Sequence, residues 1–189
     1  TGQQPGVVGQ DRSTLSAGKG MTKKIRLHEF QSYLAARLAG TSNQSSAGLL
    51  GLQAGADHWL VDLADSGEIV PLTFLTDVPL TKPWFAGIAN IRGNLYSVVD
   101  LSAFLGKEAT PQNGSSRLLL IGTRHGSNAA LLVTRTIGLR NVETLNAEAP
   151  DPQAPSWAHQ TYTDNEGRRW RKLNVRGLLA DEGFMDIGA

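Results

Sequence analysis

From residue 47 onward the chain is cut into short apolar or alternating runs, each stopped within a few residues by Gly, Pro, Asn, Asp or Ser, with no long helical pattern between them. Parallel neighbours need a crossover connection, usually a helix, so runs joined this tightly are expected to pair antiparallel. Such a set buries its apolar faces and hides its edges by curling into a closed or nearly closed barrel. The number of runs suggests two barrels, a count that periodicity alone leaves open.

The runs can be placed individually. Residues 48–53 and 58–63 flank Ala54-Gly55-Ala56-Asp57 as a hairpin, and Glu68–Leu72 follows the turn Asp65-Ser66-Gly67. Pro71, Pro79 and Pro83 keep 71–83 from forming a helix or a central strand. Arg117–Ile121 and Asn128–Thr134 flank the loop 122–127, and Ile137–Val142 extends the sheet. The Pro- and Ala-rich stretch 146–156 reads as a long loop. A last hairpin centres on Asp164-Asn165-Glu166-Gly167, after which Asn174 caps a short helix through Ala180.

The most informative stretch is Gly87–Gly106. Two β-favourable runs, 86–92 and 95–99, are separated by Gly93-Asn94, a pair that permits the positive φ of tight hairpin turns. The second run ends at Asp100, whose carboxylate can accept from the free N–H groups of a first helical turn, and Gly106 stops the short Leu101–Leu105 helix. Strand, tight turn, strand and capped helix form one unit.

These residues carry a resemblance. Trp84-Phe85-Ala86-Gly87-Ile88-Ala89-Asn90-Ile91-Arg92-Gly93-Asn94 followed by Val98-Val99-Asp100-Leu101 resembles the N-[LI]-R-G turn and V-[VI]-D-L strand end of CheW-like domains. The likeness extends more weakly from about residue 47 to the C-terminus. Within the family the chain is most similar to adaptors of type IV pilus chemosensory systems. The resemblance implies a mainly β fold: two SH3-like five-stranded β-barrel subdomains side by side, with a hydrophobic groove between them. It implies a cytoplasmic adaptor that joins the tip of a methyl-accepting chemoreceptor to the regulatory domain of a CheA-like histidine kinase in twitching motility. Phe85, Gly87, Ile88 and Asn90 are the implied kinase-binding residues, and Leu63, Ile69 and Val99 the implied lining of the receptor groove. Glu68, in Gly67-Glu68-Ile69-Val70, is implied to pair with Arg92 and set the geometry beside the binding surface. Gly93 makes the turn and Asp100 the cap.

The segment before residue 47 reads differently. Residues 1–20 are polar and Gly-rich, with Val7, Val8 and Leu15 scattered, and are expected to stay disordered because they bury too little to repay ordering. Over 23–39, Leu27, Phe30, Leu34 and Leu38 recur at three- and four-residue steps, which predicts an amphipathic helix. Two uses are open to it: covering its own barrel, or presenting that stripe to a partner helix or groove.

Several chemistries are excluded or weakened. Eighteen basic and seventeen acidic side chains nearly cancel, so no long-range field draws the protein to nucleic acid or an anionic membrane. The absence of cysteine rules out disulfides and thiolate metal sites, and no apolar run approaches a membrane span. His28, His58, His125 and His159 are scattered without metal-ligand spacing, and Asp57, Asp62, Asp65 and Glu68 lack a calcium-loop register. Hydrolase and nucleotide-binding motifs are missing as well. No cofactor, metal or catalytic residue is expected. One rival reading rests on Arg168-Arg169-Trp170-Arg171-Lys172, where an aromatic among cations can stack a base and make a small-barrel nucleic-acid binder. The family pattern is more apolar at this run.

Overall fold

The structure, a computed structural model, describes residues 48–189. The helix expected over 23–39 and the polar segments beside it lie outside the described residues. The described residues form two six-stranded sheets. One is built from β1 (Leu49–Ala54), β2 (Asp57–Asp62), β9 (Arg135–Arg140), β10 (Leu145–Ala147), β11 (Thr161–Asp164) and β12 (Arg169–Leu173), in the order β10-β11-β12-β2-β1-β9. The other, inserted between β2 and β9, holds β3 (Ser66–Pro71), β4 (Leu75–Thr76), β5 (Phe85–Ile91), β6 (Asn94–Asp100), β7 (Arg117–Ile121) and β8 (Ala129–Val133), in the order β3-β7-β8-β6-β5-β4. Three short helices complete it: α1 (Leu101–Phe104), α2 (Val175–Leu179) and α3 (Glu182–Met185).

Each sheet curls around its own interior. Val70, Leu75, Ala89, Val98, Leu118 and Leu132, one from each strand of the inserted sheet, share a single apolar cluster. Leu49, Leu60, Ile137, Leu145, Tyr162 and Trp170 do the same for the other sheet. A flat sheet cannot bring all six of its strands to one cluster. The remaining faces meet in a third cluster, in which Leu50, Leu52, Trp59 and Val61 pack with Val99, Leu119, Ile121, Leu131 and Val133. Neighbouring residues therefore serve different cores: Leu118 and Leu120 point into their barrel, Leu119 and Ile121 into the shared layer. Burial on both faces explains why β7 and β8 read as unbroken apolar runs instead of alternating ones.

Two expectations are corrected. The sheets have six strands each where five were expected, because the two-residue strand β4 and the three-residue strand β10 are too short to show as periodic runs. Pairing is also mixed: β6 runs parallel to β8 and β12 parallel to β2. The crossover that parallel strands need is present in both cases, supplied by α1 with β7 in one and by the inserted sheet together with β9, β10 and β11 in the other. The prolines of 71–83 behave as expected: Pro71 ends β3, and the stretch beyond it holds the edge strand β4 and a loop.

Candidate functional site

The β5–β6 hairpin turns one residue earlier than the Gly93-Asn94 expectation. Ile91 pairs with Asn94, which leaves Arg92 and Gly93 as the two-residue loop, with φ of 53° and 85°. Positive φ at both positions is what a type I′ turn requires, and glycine adopts it freely whereas arginine does not. Three bonds hold the arginine there. Asn90 Oδ1 accepts from the Gly93 N–H at 2.9 Å, closing the turn from the preceding strand. Arg92 then donates through both terminal nitrogens to Glu68, each at 2.6 Å.

This pair also reports on sheet shape. Glu68 lies on β3, three to four strands away from the hairpin in sheet order, which in a flat sheet is roughly 14–19 Å. Curling brings the two together. Both side chains remain on the surface, 73% and 45% exposed for Arg92 and Glu68. The hydrogen bonds it donates to Glu68 raise the Arg92 pKa above its ordinary value, so the guanidinium keeps its charge at any working pH.

The other hairpin residues divide into framework and surface. Gly87 is buried at a β-bulge with φ 123°, and a Cβ placed there would lie 2.5 Å from the Thr76 carbonyl oxygen, so no other residue fits. Phe85 is buried, Ile88 half-buried against the shared core, and Asn90 exposed. Asp100 caps α1 through Oδ1, accepting from the N–H of Ser102 at 3.0 Å and of Ala103 at 3.3 Å. The same carboxylate takes the Thr110 N–H and hydroxyl at 2.6 and 2.7 Å, which pins the loop after α1. A buried carboxylate with four donors is fully satisfied.

Leu63, Ile69 and Val99 are not gathered into one cavity. Val99 forms the floor of an apolar groove of about 270 Å³ whose walls include Phe85, Ala129, Leu179, Met185 and Ile187. Val99 itself is only 2% exposed. Ile69 packs at the margin of the shared core, while Leu63 sits beyond β2, exposed and bonded through its N–H to the Gly48 carbonyl. Sequence reasoning missed the groove's outer wall, which is the C-terminal segment. Asp181 caps α3, Phe184 stacks on Trp84 with ring centroids 6.4 Å apart, and Thr81 bridges Gly188. Lys82 donates to the Asp186 carboxylate at 2.8 Å and holds it below the usual carboxylate range. The available signal was the apolar triple Phe184, Met185 and Ile187 just past a capping aspartate.

A family model of the CheW-like domain matches residues 48–183, nearly all of the described structure. The chain belongs to the CheW-like domain family. It is 27% identical over 146 residues to Protein PilI of Pseudomonas aeruginosa, covering 76% of this chain and 81% of that protein. It is 28% identical over 104 residues to the chemotaxis protein CheW of Helicobacter pylori, covering 55% of this chain and 62% of that one. In three dimensions it is similar to the scaffolding protein TtCheW of Thermoanaerobacter tengcongensis, with TM-score 0.60 at 18% identity over 72% of this chain and 94% of that chain.

Away from the β5–β6 hairpin, the basic run of this CheW-like domain is met by acidic side chains. Trp170 is fully buried and donates its indole N–H to Asp164 at 2.9 Å. Partial burial disfavours charge on Asp164, yet that bond and the N–H groups of Arg168 and Glu166 hold its carboxyl below the ordinary value. Arg168 meets Glu166 at 2.6 Å, Arg169 meets Glu148 at 3.1 Å, and Lys172 meets Asp62 at 3.1 Å. Arg171 lies 3.8 Å from Asp151. The aromatic needed to stack a base is inside the barrel, so the run 168–172 is a structural hairpin. A second cluster, not foreseen, joins Asp65 to Arg124 and to His125, whose Nε2 lies 2.9 Å from Asp65 Oδ1. Among the described residues no group of three side chains is placed to hold a metal, and no helix is long and apolar enough to cross a membrane.

Proposed function

We propose that this CheW-like domain is a non-catalytic adaptor that couples methyl-accepting chemoreceptors to a CheA-like histidine kinase, in the chemosensory control of type IV pili. The relatives support the class: one is named a chemotaxis protein, another a scaffolding protein, and the likeness to PilI favours the pilus pathway. Association with receptor arrays at the cytoplasmic face of the membrane follows from that role.

The observation that carries the reading is the surface pair Glu68–Arg92. Exposed ion pairs add little to folding, and a left-handed arginine costs conformational energy. What two parallel bonds across a curled sheet do fix is the shape of the hairpin tip. The kinase's regulatory domain then docks on the inserted barrel around that tip, with Asn90 and Ile88 at its margin and Phe85 and Gly87 setting the backbone beneath. The receptor helix lies in the apolar groove floored by Val99 and walled by Ala129, Leu179 and Met185. Coupling is geometric, since holding both partners lets a small receptor movement shift the kinase's active population.

A pull-down of the CheA-like kinase regulatory domain by the full chain tests this. Saturable binding that Arg92→His or Glu68→Lys weakens, with an unchanged circular dichroism spectrum, is the expected result. Normal binding by both variants overturns the role of the pair, and no binding by the full chain overturns the kinase as partner.

A further inference from the structure

The apolar groove does not end at Leu179. That residue also lines a second depression, of about 490 Å³, together with Arg124, His125, Arg176 and Ala180. The same two segments wall both: 124–129 on one side, α2 and the chain after it on the other. The two depressions adjoin at Leu179, the first apolar along Val99, Ala129 and Met185 and the second cationic at Arg124 and Arg176.

The charge at that end is only partly compensated. Among the described residues no carboxylate lines the depression. Arg124 is tethered from behind by Asp65, a buried carboxylate that also bonds His125, and yet its side chain is 56% exposed. Arg176, exposed on the last turn of α2, has no carboxylate within 4.0 Å among the described residues. The nearest acidic residue along the chain, Asp181, is turned away, one oxygen on the Phe184 N–H and the other on the Trp157 indole. Of the two guanidiniums only Arg124 has a carboxylate partner, which it shares with His125, in contrast to the paired cations of β12.

We propose that Arg176, with Arg124 held in place by Asp65, is a specificity-determining site that reads a carboxylate on the helix occupying the groove. Resting on the receptor-groove reading above, it narrows the occupant to a receptor helix with an apolar stripe followed at one end by Asp or Glu. A guanidinium presents a planar fork that suits a carboxylate. Such a contact at the rim contributes modestly to affinity but selects register and partner and speeds encounter.

The test is a titration of the full chain with the purified cytoplasmic-tip fragment of the chemoreceptor from the same organism, at several salt concentrations. Arg176→Glu is expected to weaken binding about five- to tenfold and to flatten its salt dependence. Glu→Lys or Asp→Lys exchanges in the fragment, made one at a time, should include one that restores binding to Arg176→Glu while weakening binding to the unchanged chain. Met185→Asp serves as the control for the groove. If it abolishes binding while Arg176→Glu and Arg124→Gln bind as the unchanged chain does, the acid-reading end is overturned and the groove reading stands. Failure of the unchanged chain to bind the fragment overturns both. Saturable binding of inorganic phosphate that Arg176→Glu abolishes, with fragment binding unaffected, reassigns the depression to a small anion and also overturns the proposal.

Discussion

Hairpins β5–β6 and β11–β12 invert the impression their sequences make. β11–β12 carries the densest charge in the chain, and every cation of its basic run lies near an acidic side chain while its tryptophan is the centre of a barrel. The tip of β5–β6 carries one arginine, yet that arginine is strained into a left-handed conformation and clamped by Glu68 on open surface. Charge density along a sequence therefore says little about how each charge is held. What distinguishes the hairpins is the key bond of each: the indole of Trp170 donates inside its barrel, whereas Arg92 donates across the surface.

The comparison is broken most severely if Trp170 proves dispensable. Trp170→Ala empties the centre of its barrel and leaves the Asp164 carboxylate without the indole donor, so unfolding free energy should fall by about 3–5 kcal/mol in a urea titration. A loss under about 1 kcal/mol would mean that the hairpin is not a structural one.

Gly87→Ala should come next. A methyl group at φ 123° against the Thr76 carbonyl must shift the bulge and unseat β4, at a cost of about 1–3 kcal/mol, and kinase binding should fall with it. Stability equal to the unchanged protein would show that the bulge is not fixed by its backbone contact. Asn90→Ala has a smaller effect, since it removes only the exposed bond that closes the turn. A drop of about 1 kcal/mol or less is expected, with the Arg92 contact loosened in nuclear magnetic resonance spectra.

The smallest effect concerns pH. Burial first, then the charges of Arg168 and Arg135, lowers the His58 pKa from its ordinary 6.5. A depressed base is stabilised neutral, so its contribution is complete above about pH 6.5 and is lost as pH falls through the folded value. His58→Gln should flatten a shallow decline of thermal midpoint in that acidic window, and an unchanged slope would remove His58 as its source.

Much of this architecture is legible in the amino-acid sequence. Turn residues at short intervals announce the strands, and Asp100 announces the cap it forms. The turn register is less so: Gly93-Asn94 is the pair that propensity favours, but the Asn90 bond to Gly93 stabilises Arg92-Gly93 instead. A two-residue period shows which residues alternate and is silent when both faces are buried, which is why Val99 reads as a surface candidate and proves to be floor. Parallel pairing between β2 and β12, and the meeting of Asp65 with His125 sixty residues away, arise only from tertiary closure. The same holds for the wall that residues 184–187 raise beside Ala129.

The central claim is that Glu68 and Arg92 shape a binding surface and contribute little to folding. The most direct measurement is a calorimetric titration of the CheA-like kinase regulatory domain into the full chain carrying Glu68→Arg, Arg92→Glu, or both. Each single reversal should lose most of the binding with little change in thermal midpoint, and the double reversal, which restores the pair in the opposite sense, should recover a substantial part. Single variants that bind like the unchanged chain, or that unfold instead of merely failing to bind, would contradict the claim.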